Sequence, residues 1–208
     1  MNNFVIAITR TCGSGGTTIG KMLAEHYGIE WYDKELLKLA SEDSGISYEL
    51  FEKADSTLQK KPLFRAYKKV YRGELIPPES SDFTSNDNLF NYQAKVLKEL
   101  AKQESYVVVG RAADFILKDF PRVLRVFIYA SHENCLRHEM EVIGSSREEA
   151  EEEIAHKNAY REAYYEYHTG NKWLDARNYD LILDTGRFSY EECVMMIRGI
   201  IENTLIKR

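Results

Sequence analysis

The chain has 208 residues, 44% apolar and 29% charged, with a formal net charge of −5. That length and composition suit one globular domain with a sizeable core and argue against wholesale disorder. The acidic balance leaves no global basic field for nucleic acid, so an anionic ligand has to be held by local arginines and backbone amides.

Taken in chain order, the apolar run Phe4–Thr9 reads as a first strand and feeds the glycine-rich stretch "TRTCGSGGTTIG" (Thr9–Gly20). A short strand-like piece, "IEWY" (Ile29–Tyr32), is followed by Asp33 and the helical pattern "KELLKLA". The segment Asp55–Asn88 holds three of the four prolines and little periodicity; it reads as an insertion with a short helix near Leu63–Tyr71 and then a long loop. Helical patterning returns from Asn88 to Gln103 and leads into the strand runs Tyr106–Gly110 and Val123–Tyr129, both nearly continuous in apolar residues, as in strands covered on both faces. Ser131 opens a further helix, and Ser146–Glu149 and Ser189–Glu192 have the capping-box pattern. Between those boxes lies a fifth strand run, Tyr179–Asp184, and the last helix runs from Tyr190 to about Ile206. Strand alternating with helix points to a parallel α/β sheet.

No apolar run approaches the ~20 residues that cross a bilayer. No secretory signal pattern opens the sequence, and Cys12, Cys135 and Cys193 are unclustered. A cytoplasmic protein with reduced thiols is expected, not a disulfide framework or a zinc site.

The glycine-rich loop admits three readings. As the dinucleotide fingerprint G-x-G-x-x-G it lacks the third glycine, although Asp33 stands about 20 residues on, where a ribose-binding acid belongs. As the phosphate-binding loop G-x-x-x-x-G-K-[ST] it has the right length between a strand and a helix, with Gly15 on the second glycine and Thr17 on the hydroxyl position. Arg10 then replaces the first glycine, and Gly16 replaces the lysine. As a mere tight turn it would spend four glycines within eight residues, which is costly in chain entropy. Phosphate binding by the amides of Gly13, Ser14, Gly15, Gly16, Thr17 and Thr18 and by a helix N-terminus is favoured, with Thr17 as magnesium ligand.

Beyond the loop, "RTCGSGGTTIGKMLAEHYGIEWYDKELL", "VVVGRAADFIL", "RVFIYASHENCLRH" and "YDLILDTGRFSYEE" occur in the order of the cytidylate kinase-like proteins, a divergent branch of the P-loop nucleoside monophosphate kinases, and the chain resembles that family. The resemblance implies a three-layer P-loop NTPase-type fold over residues 1–208: a five-stranded parallel sheet with helices on both faces, a monophosphate-binding lobe at 33–103 and a lid-like helical region at 137–175. It also implies transfer of the ATP γ-phosphoryl group, with Mg2+, to a small acceptor such as a (deoxy)cytidine monophosphate. Arg111 matches a substrate-binding arginine, Asp33 the acid that opens the monophosphate lobe, and Ala112 stands where the family has an acid, with Asp114 the candidate to replace it in binding substrate. Arg137, Lys157 and Arg161 fall in the lid, and Asp184–Thr185 match a segment that passes near the adenine. Catalysis of this kind is alignment plus charge neutralisation, which calls for cations around the transferring group.

Each assignment has a plainer counterpart. Arg10 either points at a phosphate and restores the lost charge or pairs with an acid such as Asp33. Asp33 is either a site residue or a helix N-cap. Arg137, Lys157 and Arg161 stand among glutamates, so solvated helix pairing explains them nearly as well. Tyr160, Tyr164, Tyr165 and Tyr167 are too many for one stripe and suggest core or homo-oligomer contacts. Gly16 in the lysine's place also motivates a non-catalytic nucleotide-sensing reading.

Overall fold

The computed structural model describes residues 3–57 and 71–206. Val5–Arg10 (β1) lies in the middle of a sheet ordered β2-β3-β1-β4-β5. Its other strands are β2 at Glu30–Tyr32, β3 at Tyr106–Val109, β4 at Val123–Tyr129 and β5 at Leu181–Asp184. Every pairing is parallel. The β1 register runs from Val5↔Tyr106 to Ile8↔Val109 against β3, and two residues further, to Arg10↔Ile128, against β4. That extra pairing carries Arg10 to the carboxyl end of the strand.

Alternation along the strands serves two cores, which is why the runs look continuously apolar. Ile6, Ile8, Val107, Val109, Val126 and Ile128 face α1 (Gly16–Tyr27) and α8 (Tyr190–Ile200) through Ile19, Leu23, Val194 and Ile197. Val5, Ala7, Tyr106, Val108 and Phe127 face the opposite layer. This layer comprises α2 (Glu35–Ser44), α3 (Tyr48–Thr57), α4 (Asn86–Gln103), α5 (Ala113–Ile116) and the aromatic half of α7 (Arg147–Thr169). A third cluster joins Cys12 of the loop to Cys135 and Leu136 of α6 (His132–Ile143) and to Ala150 and Ile154 of α7. This is the three-layer arrangement expected. Among the described residues no helix is long and apolar enough to cross a membrane.

Both capping boxes are formed, at Ser146 and Ser189, and Ser131 caps α6. Other expectations change. Arg10 belongs to β1 and is not part of the loop that follows. Helix α4 starts at Asn86, because Ser85 accepts from the Asn88 amide. The last helix is α-helical only to Ile200 and ends in a π-helical turn, Ile201–Ile206. The short helix expected near Leu63–Tyr71 lies outside the described residues except for Tyr71. Residues 71–85 form no regular element, but they are held. Asn88 is fully buried; its Nδ2 donates to the carbonyls of Ile76 and Phe83, and its Oδ1 accepts from the Ile76 amide.

Phe90 joins α4 to α7. Its ring stacks on His168 with centroids 3.9 Å apart and meets Tyr71 and Tyr164 edge-on. Burial pushes the His168 pKa down to about 3, so the imidazole is neutral at physiological pH and packs as an aromatic ring. Replacing Phe90 by alanine should cost about 3–5 kcal/mol, read as a lower urea midpoint at unchanged slope. A loss below ~1 kcal/mol would show that α4 and α7 are held together elsewhere.

Candidate functional site

A cleft of about 820 Å³ opens at the carboxyl ends of β1, β2 and β3, where open parallel sheets bind ligands. Each strand contributes directly: Thr9 and Arg10 from β1, Asp33 just after β2, and Val109–Ala112 from the end of β3. Helix α7 closes one side with Lys157, Tyr160, Arg161, Tyr164 and Tyr165, and Trp173 follows it. The lining holds six basic side chains (Arg10, Lys34, Lys53, Arg111, Lys157, Arg161) and three acidic ones (Asp33, Glu49, Glu52). An acidic protein has thus kept a basic cleft, which suits an anionic ligand.

Three arginines form its centre. Arg10 Nη2 lies 3.7 Å from Asp33 Oδ2, and Arg111 Nη2 lies 3.7 Å from Asp33 Oδ1. Arg161 Nη1 donates to the Arg10 carbonyl at 3.4 Å. Both readings of Arg10 therefore meet at one point: it pairs with Asp33 and still faces the cleft. Its Nε is buried without a partner among the described residues. Burial first, and then the neighbouring Arg161, pull its pKa below the ordinary arginine value, Asp33 opposing them. Asp33 does not cap α2, which begins after Lys34 with no side-chain cap.

Arg111 owes its place to the backbone. Gly110, Arg111 and Ala112 all lie in the left-handed region, at φ +79°, +61° and +51°. Two consecutive non-glycine residues there store strain of roughly 1–2 kcal/mol each. The reversal after β3 turns the Arg111 guanidinium back toward Asp33. It also swings α5 inward, so Asp114 does not reach the cleft. Asp114 is buried, accepting from Thr9 Oγ1 at 3.3 Å and from the Tyr165 hydroxyl at 2.6 Å. It holds two lining residues in place and is not itself offered to a ligand.

The loop after β1 is tightly packed. Gly13 and Gly15 have positive φ. A Cβ on Gly13 would lie 2.5 Å from the Cys135 carbonyl oxygen, one on Gly15 would overlap the Tyr190 ring, and one on Gly16 would lie 2.6 Å from Arg10 Cβ. Close packing thus accounts for these three glycines, which the entropy argument alone had credited to phosphate binding. The Ser14 side chain faces inward, its hydroxyl shared between the Thr11 and Ile128 carbonyls, so only its backbone is available to a ligand. Helix α1 starts after Gly15 with no side-chain cap, which leaves first-turn amides and their partial positive charge at the loop. Thr17 lines the cleft, and Thr18 is exposed.

Of the lid candidates, Arg161 and Lys157 line the cleft, Lys157 also pairing with Glu153 at 2.8 Å. Arg137 does not join them. It donates to Asn134 and lines a separate hollow of about 200 Å³ with Gly13, Thr185, Gly186 and Tyr190, on the far side of the loop. Residues the sequence did not single out complete the site. Asn158 Oδ1 accepts from the Cys12 amide at 2.8 Å, and Tyr48, Trp173 and Gly110 line the cleft. Asn158, Arg161 and Tyr165 stand at i, i+3 and i+7 on one helix face. That pattern is visible in sequence, but their partners on the loop are not. Among the described residues no group of three His, Cys, Asp or Glu side chains is placed to hold a metal ion.

The profile of the cytidylate kinase-like family matches residues 5–187. The cytidylate kinase of Pyrococcus horikoshii is 26% identical over 205 residues, covering 97% of this chain and 90% of that protein. An uncharacterized protein of Eubacterium ventriosum, known from its crystal structure, superposes with a TM-score of 0.70 at 26% identity, covering 96% of this chain and 99% of that one. Shikimate kinase from Bacteroides thetaiotaomicron reaches 0.52 at 16% identity over 96% and 98% of the two chains, a likeness of fold alone.

Asp114 gives the site a pH signature. Burial raises its pKa from about 3.8 to about 6, against the hydrogen bonds from Tyr165 and Thr9. A carboxyl whose folded pKa is raised adds stability that is complete below the unfolded value and lost as pH rises through the folded one. Wild-type protein should therefore lose on the order of 2–3 kcal/mol of this contribution between pH 4 and pH 7. In Asp114→Asn that part of the pH dependence should vanish. Urea unfolding at both pH values measures it, and an identical pH dependence in the variant would refute the assignment.

Proposed function

This chain belongs to the cytidylate kinase-like family, and on that premise we propose that it transfers the γ-phosphoryl group of ATP to a small phosphate-bearing acceptor, of which a (deoxy)cytidine monophosphate is the first to test. The observation that carries this reading is the pairing of Arg10 and Arg111 with the carboxylate of Asp33, with Arg161 held against the Arg10 carbonyl, beside an uncapped helix N-terminus. Anionic groups entering from two sides would meet cations in the cleft and amides at the loop.

In this reading the donor phosphates lie on the amides of Gly13–Thr18 and on the positive end of α1. The Thr17 hydroxyl would hold a magnesium ion brought in with those phosphates. Mg2+ commonly keeps most of its water and is held through substrate phosphates with few protein ligands, so the lack of a preformed ligand cluster among the described residues is no obstacle. When bound, the ion neutralises charge on the transferring group. Arg111 holds the acceptor, with Asp33 setting its position, while Arg161 and Lys157 stand over the gap from α7. Arg137, in the second hollow beside Thr185, lies on the side where the donor's base would rest.

The acceptor oxygen forms the new bond to phosphorus as the bond to the β,γ-bridging oxygen breaks. No protein atom becomes covalently involved. What the chain contributes is alignment and positive charge placed before the reaction. Gly16, standing where a lysine is usual, supports a second reading: a protein that binds a nucleotide without turning it over.

Purified protein with Mg-ATP and a panel of monophosphates should form ADP with at least one acceptor. Arg111→Ala and Arg161→Ala should each lower kcat/KM by roughly 10²–10³. Clear nucleotide binding with no turnover on any acceptor would sink transfer and leave the sensor reading.

A further inference from the structure

In the loop pattern G-x-x-x-x-G-K-[ST], the first position carries no side chain and the seventh carries a cation. Here the first is Arg10 and the seventh is Gly16. The structure ties the two departures together. A Cβ on residue 16 would lie 2.6 Å from Arg10 Cβ and 3.0 Å from its Cγ. The Arg10 Cβ is fixed by the main chain, so no rotamer can move it aside. Space at that point admits one side chain, rooted at position 10 or at position 16. Side chains at positions 10 and 16 therefore exclude one another, which fits an exchange of the loop's cation from one position to the other.

The exchange also redirects the charge. A lysine at position 16 would leave from the first turn of α1, beside the donor-binding amides. Arg10 leaves from the end of β1 and runs sideways. Its guanidinium lies over Gly110, where Nη1 would overlap any Cβ, and ends 3.7 Å from Asp33 beyond β2. Gly110 thus has two reasons to be glycine, its φ of +79° and the arginine above it. Arg111, with a side chain only 8% exposed, reaches the other oxygen of Asp33.

We propose that Arg10 is an acceptor-side residue. Together with Arg111 and Arg161 it receives one dianionic phosphate group, and Asp33 occupies the Arg10–Arg111 pair until that group arrives. The identity of the ligand rests on the phosphoryl-transfer reading, whereas the steric exchange does not.

Two measurements test the two parts. For the exchange, thermal unfolding compares wild type, Arg10→Gly, Gly16→Lys and the double variant. Gly16→Lys alone should be clearly destabilised, and adding Arg10→Gly should recover much of the loss. Additive effects would overturn the exchange. For the ligand, Arg10→Met keeps a stem across Gly16 and removes the charge. Calorimetry then follows inorganic phosphate added to protein saturated with Mg-ADP, and separately Mg-ADP alone. Arg10→Met should weaken phosphate about tenfold or more while changing Mg-ADP by less than threefold. A loss confined to Mg-ADP would make Arg10 a donor-side residue, and no loss for either would make it structural; both overturn the proposal. Wild type that fails to bind Mg-ADP but binds phosphate through Arg10 would refute the kinase reading and leave this site standing.

Discussion

Like charges gathered in a half-enclosed space repel one another, and much of the architecture around Arg10, Arg111 and Arg161 serves to keep them together without a ligand. One carboxylate is shared between two of them. At 3.7 Å its contacts with Arg10 and Arg111 are ion pairs too long to be good hydrogen bonds. A partner held that loosely offsets repulsion and can still yield to a better anion. The third arginine is restrained differently, by donating to the Arg10 main-chain carbonyl. The strained turn Gly110–Ala112 belongs to the same solution, since an unstrained exit from β3 would carry Arg111 elsewhere. That strain persists because its surroundings are fixed: Val109 and Ala113 on either side are 0% and 1% exposed.

Helix α7 provides the other half of the restraint. Near its start Ala150 and Ile154 pack in one cluster with Cys12, its last turns are aromatic and buried, and its middle meets the loop and the end of β1. There Asn158 takes the Cys12 amide, Arg161 reaches Arg10, and Tyr165 reaches Asp114, which in turn holds Thr9. One helix face therefore touches the phosphate-type loop, the end of β1 and the acid behind it. Tyr167 adds a 2.8 Å hydrogen bond to Asp87 on α4. Any swing of α7 as a rigid lid would have to break this series at once.

The sheet could be read from sequence because both faces of each central strand are buried, and because serine caps mark helix starts by local chemistry alone. The helices framing the far side of the cleft were less legible. Helix α3 lay at the edge of a segment taken for an insertion, and the path of residues 71–85 depends on one buried asparagine, Asn88, whose partners lie 5 and 12 positions away. Within the site, residues on strand ends could be found because parallel sheets bind ligands there, and Arg111 and Asp33 both fall in the cleft. Asp114 was misplaced for a physical reason. It stands only three positions after Arg111 in sequence, but the left-handed turn between them sends it inward. Arg137 was grouped with Lys157 and Arg161 by chain order, whereas the loop itself separates them. Gly16 looked like a loss until its neighbour in space was known.

That last point bears on how the donor would be held. With no lysine at position 16, the loop offers a polyphosphate backbone amides, a helix dipole and the Thr17 hydroxyl, all fixed in direction and none able to follow a moving group. In the proposed reading the side-chain cations sit instead on strand ends and on α7, where the acceptor would lie. In a lysine-bearing loop the cation approaches the transferring group from the donor side and travels with it. In that reading the cations wait at the destination, and a phosphoryl group leaving the amides would move toward the arginines paired with Asp33.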